Sequence, residues 1–191
     1  MTFSGSLVTQ GIMIQKLYHA LSKKYIVWAS FLASLVIIAI FIFLDRGGRP
    51  QDSQTPLALQ LTFSKDAFLY ILEGWGELGI KTYKKILLID YLFPITYSLF
   101  LASSLSYLTI KRDPKWKKLY LFFFTLPFVS ALLDWCENTF HFIFLRNPTE
   151  ISEQLIKISA LCAYTKWILG IFSFLLVYYF WWKKKGSCCK S

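Results

Sequence analysis

An all-α, polytopic membrane protein is predicted for this chain: a four-transmembrane-helix bundle forming one domain, both termini cytoplasmic, with a partly structured outer loop between the first two spans. Of its 191 residues 55% are hydrophobic and 19% aromatic, with mean hydropathy +0.47, too apolar for an ordinary soluble domain. Most of the 21 Lys and Arg residues gather at the ends of four apolar runs of membrane length. The net charge of +10 is thus a topology signal, and no nucleic-acid partner is expected. Cys136, Cys162, Cys188 and Cys189 form neither a CxxC pair nor a zinc spacing, so no disulfide framework is implied.

Residues 1–24 carry Ile14, Leu17, Tyr18 and Leu21 at helical spacing beside Lys16, Lys23 and Lys24, the pattern of a short interfacial amphipathic helix. Residues 25–44 form the first span, long enough to cross a bilayer at about 1.5 Å per residue. This run exceeds a usual signal-peptide core and lacks an A-x-A cleavage pattern, so it reads as a retained helix. Offering only Ser30, Ala33 and Ser34, it reads as scaffold.

Residues 45–85 make the outer loop. Gly47-Gly48-Arg49-Pro50 breaks the chain, and Leu57, Leu59, Leu61 and Phe63 alternate like a short extended strand. Ser64 then caps a short helix bearing Phe68, Leu69 and Leu72, stopped by Gly74. Trp75 suits the headgroup layer, with Glu73 and Glu77 solvated on either side. The competing reading makes this loop a lid that contributes an acid to a site beneath it.

The second span covers residues 86–110, the third 119–145 and the fourth 158–182. Between them lie a basic turn, Lys111 to Lys118, and a breaker, Arg146-Asn147-Pro148-Thr149-Glu150. The basic tail, residues 183–191, reads as a topology anchor; lipidation at Cys188 or Cys189 is the alternative. The N-terminal segment, the Lys111–Lys118 turn and the tail hold twelve of the 21 basic residues, which puts both termini in the cytoplasm. A bacterial-type cytoplasmic membrane is the expected location.

The third span sets Ser130, Asp134, Glu137, Asn138 and His141 on one arc about 100° wide. The second aligns Asp90, Pro94, Tyr97 and Ser104, and the fourth Ser159, Cys162, Lys166, Gly170 and Ser173. Membrane helices turn small and polar faces toward one another, so these stripes should converge. Counting rise per residue puts Asp90, Asp134, Glu137, His141 and Lys166 in the outer half of a core about 30 Å thick.

Ionisable groups in hydrocarbon are costly enough to be functional candidates. The first candidate function is a membrane-embedded enzyme acting on a lipid-like substrate. Asp134 and Glu137 would be acid and base, Asp90 and His141 would orient or assist, and Lys166 would stabilise negative charge. Asn138, Tyr97, Trp75, Glu73 and Glu77 would surround them. The second is a small proton- or ion-coupled carrier, expected to be a homo-oligomer, and the third an accessory subunit whose polar core only specifies packing. Polar groups at one depth, with Leu105–Ile110 and Leu119–Phe124 closing the inner ends, favour the enzyme over a conduction path. Membrane lipids are the expected partners. No cofactor is firmly predicted, although Asp90, Asp134, Glu137 and His141 could hold a divalent metal through a generic ligand set.

Overall fold

The computed structural model describes residues 3–46, 50 and 53–188, and among them the chain forms only helices and short turns. These are α1 (Phe3–Leu21), α2 (Lys24–Arg46), α3 (Pro56–Gln60), α4 (Lys65–Asp90), α5 (Phe93–Thr109), α6 (Lys117–Phe144) and α7 (Glu153–Cys188). Gly47, Gly48 and Arg49 of the breaker, and the tail from Cys189 on, lie outside the described residues, as does the Cys188 side chain. Three helices are long and apolar enough to cross a membrane, over Lys24–Arg46, Pro114–Phe144 and Glu153–Lys184. The pair α4–α5, bent by 42°, makes a fourth if it is counted as one span. Large apolar side chains stay exposed along α2 and α7, including Phe43, Trp28, Ile168 and Phe174, as suits helices whose outer faces meet hydrocarbon.

Helix α5 lies at the centre, packing on α6, α2, α7 and α1. Its buried Ala102, Ser103, Ser104 and Ser106 explain that position, since small side chains let neighbouring backbones come close. On α7, Gly170 lies beside Ser130 of α6, where an added Cβ would make an ordinary contact with Ser130 Oγ at 3.7 Å. At one end of the bundle α1 packs against α5 and α6. There Tyr18 OH shares a hydrogen bond with Thr109 Oγ1 at 2.7 Å, and Ser106 Oγ donates to the Tyr18 carbonyl. Helix α1 is therefore docked through Tyr18 and not merely laid on the interface.

Three sequence expectations are corrected. The continuous second span over residues 86–110 does not form, because Ile86–Asp90 end α4 and a separate helix starts at Phe93. Pro94 lacks the N–H that would bond the Asp90 carbonyl four residues back, and its ring crowds that carbonyl. The strand expected from Leu57 to Phe63 is instead the single-turn-scale helix α3. Thr55 caps it by accepting from the Ala58 amide, and Pro56 stands in its first turn. The short helix expected to stop at Gly74 continues as α4, with its Ser64 cap in place and a turn at Gly76, where φ is 63° and ψ −175°. That region is open almost only to glycine.

The segment between α2 and α5 is consequently a helical cap. Leu59, Phe68, Ile71, Leu72 and Trp75 pack with Phe144, Leu145, Ile151 and Ile156 at the ends of α6 and α7. Where water is the alternative, each such side chain contributes about 1.5–3 kcal/mol. Trp75 is only 2% exposed and its Nε1 donates to the Gln54 carbonyl at 2.6 Å, so it is a core anchor and not a headgroup-layer residue.

Candidate functional site

The i, i+3, i+4, i+7 spacing on α6 brings Asp134, Glu137, Asn138 and His141 to one buried face. Lys166 enters from α7 to meet the first two. Its Nζ lies 2.7 Å from Asp134 Oδ1 and 2.8 Å from Glu137 Oε2, forming a buried bifurcated ion pair. Ser130, one turn before Asp134, fixes the register: its hydroxyl donates to the Lys166 carbonyl at 2.9 Å, which leaves it to accept from Tyr97 OH at 3.2 Å. One hydroxyl thereby couples α5, α6 and α7.

Asp90 arrives by a different route. It is the last residue of α4, and the break after it is held to α6: Trp135 Nε1 donates to the Tyr91 carbonyl at 2.9 Å, and Tyr91 OH bonds Thr139 Oγ1 at 3.0 Å. The break leaves Asp90 92% buried in effect, at 8% exposure, within electrostatic reach of Asp134, Lys166 and Asn138.

These groups open onto a cavity of about 710 Å³ bounded by α2, α3, α4, α5, α6 and α7. Its cap-side end carries Asp45, Gln60, Tyr83, Asp90, Asp134 and Lys166. Beyond Tyr97 and Ser130 the walls become apolar, with Phe31, Leu35, Phe100, Leu101, Ile171 and Phe174. From Phe31 to Asp45 the cavity follows α2 for about 21 Å. Helices α2 and α7 face each other across it while packing on other partners, α2 on α5 and α4 and α7 on α6 and α5. Exposed Leu35, Ile38, Ile42, Trp167, Ile171 and Phe174 line this side, so the cavity is open sideways through an apolar mouth.

The predicted residues divide accordingly. Asp90, Asp134, Lys166 and Tyr97 line the cavity, whereas Glu137, Asn138 and His141 do not. Glu137 is fully buried behind Lys166; its Oε1 and Ser159 Oγ have no protein hydrogen-bond partner among the described residues, and the buried Asn138 amide lies beside the Asp90 carboxyl. His141 is sealed on the other side of Tyr83, whose hydroxyl lies 2.6 Å from Nδ1, with Phe68 edge-on at 5.9 Å. Glu73 and Glu77 are exposed on α4 and Trp75 is buried in the cap, so none of the three lines the cavity. Helix α2, expected to be scaffold, supplies a whole wall.

Asp45 and Gln60 were not singled out by the sequence, because only the fold-back of α3 brings Gln60 over the polar end. Among the described residues no group of three or more His, Cys, Asp or Glu side chains is arranged to hold a metal ion. The Lys166 ammonium stands between the two carboxylates of the expected ligand set, and His141 is engaged with Tyr83. No protein-family model matches this chain, and neither a curated protein nor a solved structure is significantly similar to it.

Proposed function

We propose that this is a membrane-embedded enzyme that takes a lipid-like molecule sideways between α2 and α7 and acts on its polar end by acid–base chemistry. The observation that carries this reading is the cavity itself, with carboxylates, an ammonium and a phenol at one end and hydrocarbon walls along the rest. Small-molecule sites are typically concave, mostly apolar and furnished with a few converging polar groups. Asp134 is the proton-transferring group, since it faces the cavity and its charge is balanced by Lys166. Asp90 is a second carboxylate facing the polar end of the bound molecule, and Tyr97 a hydroxyl donor. Glu137 holds Lys166 in place from behind, a change from the acid–base pair read from sequence.

A carrier would need polar groups through the full thickness, and the α1-side half of the cavity has Phe31, Phe100, Leu101 and Phe174 instead. A packing-only core would close on itself. The proposal includes four crossings, with α4 and α5 sharing one, and both termini cytoplasmic on the distribution of Lys and Arg.

The test is turnover in liposomes made from a total membrane lipid extract, with lipids compared by mass spectrometry before and after incubation. Asp134→Asn should lower turnover by about 10²- to 10⁴-fold while the solubilised chain stays monodisperse. Absence of any lipid conversion by the unaltered protein, with proton uptake that Asp134→Asn abolishes, would overturn the enzyme in favour of the carrier.

A further inference from the structure

We propose that the cavity selects amphiphiles with a positively charged amine head, and that Asp90 is the counter-ion of that amine. This rests on the reading of the cavity as a site for a lipid-like molecule and adds the charge class of that molecule. The Asp90 and Asp134 carboxylates line the polar end of the cavity, and among the described residues Lys166 is the only basic side chain that lines it. Lys166 is already engaged twice, by Asp134 and by Glu137. Asp90, only 8% exposed, forms no direct ion pair with any described residue: the Asn138 amide is its polar neighbour, and the Lys166 ammonium, held by Asp134 and Glu137, acts on it only through space.

A buried carboxylate without a cation is costly, and a ligand that supplies one recovers that cost. An ammonium head would gain a charge-assisted hydrogen bond at Asp90. An acidic head would instead meet Asp90 and Asp134, with no uncommitted basic side chain among the described lining residues to receive it. The adjoining wall is aromatic, with Phe41, Phe93 and Tyr97 lining it in edge-to-face contact with one another, and an aromatic lining suits a cation better than an anion. The volume, about 710 Å³, falls in the usual range for small-molecule sites, which suits one hydrocarbon chain and a small head.

The experiment compares three probes of equal chain length, hexadecylamine, hexadecanol and hexadecanoic acid, by native mass spectrometry of the full chain in neutral detergent. Retention of the amine should exceed that of the alcohol by about tenfold, the acid being weakest, because a hydrogen bond to a charged group is worth that much. The net charge of +10 works against nonspecific uptake of a cation, so a preference for the amine is informative. Asp90→Asn should bring amine and alcohol to within about twofold, while Asp90→Glu keeps the order. Equal retention of all three, or a preference for the acid, overturns the amine assignment and leaves the amphiphile site standing. Retention of none overturns both.

Discussion

Asp134 and His141 stand two turns apart on the same face of α6 and are similarly buried, at 4% and 1% exposure, yet they sit in different surroundings. Asp134 meets an ammonium on one side and a cavity on the other. His141 meets Tyr83, Phe68 and Phe144 and borders only a narrow crevice too small to admit water. Burial therefore does not separate a group that faces the cavity from a packed one. What separates them is whether the helix opposite leaves room: α2 stands off from α7 near Asp134, whereas α4 and its cap close down on His141.

Three substitutions would break or sharpen that contrast. The largest effect on stability is expected at Lys166, because Lys166→Met leaves Asp134 and Glu137 facing each other without a cation. Removing one partner of a buried ion pair costs about 3–5 kcal/mol, so both thermal stability in detergent and probe retention should fall. If Lys166→Met left the melting temperature unchanged, the pair would not be holding α7 to α6.

Gly76→Ala comes next. Nothing lies within 4 Å of the position a Cβ would take, so the cost is purely that of the backbone conformation, about 1–3 kcal/mol. Thermal unfolding should show that loss, and limited proteolysis should cut first in the cap, between α3 and the start of α4. The smallest effect belongs to His141→Leu, which leaves Tyr83 OH without its partner at about 1–2 kcal/mol. Turnover per folded molecule should stay within about twofold of the unaltered protein, in contrast to Asp134→Asn. A large loss of turnover in a fully folded His141→Leu protein would erase the distinction between the two positions.

How much was legible beforehand follows the same division. The shared face of Asp134, Glu137, Asn138 and His141 is a matter of helical period, and Lys166 is the one cation within an apolar run, so their meeting could be read from spacing and depth. Which of the four would face open space could not, since that depends on α2, whose sequence is nearly uniform in hydrophobicity. The strand expected between Leu57 and Phe63 shows the limit of short windows. A stretch of alternating leucines fits a period of two, and the Thr55-Pro56 pair that starts a helix was the better signal. Trp75 followed the usual rule for tryptophan at membrane boundaries until α4, continuing past Gly74, turned it inward. Pro94 was visible, but its effect on Asp90 needed the position of α6 as well.

That last residue pair has a wider meaning for how a membrane chain measures distance. A broken helix in hydrocarbon exposes carbonyls that nothing around it will satisfy. Here the Tyr91 carbonyl is met by the indole of Trp135, one residue beyond Asp134. The repair and the alignment are a single contact: α6 closes the wound in its neighbour and, by doing so, sets how far apart the two acids stand. The imperfection in one helix serves as the ruler for the other.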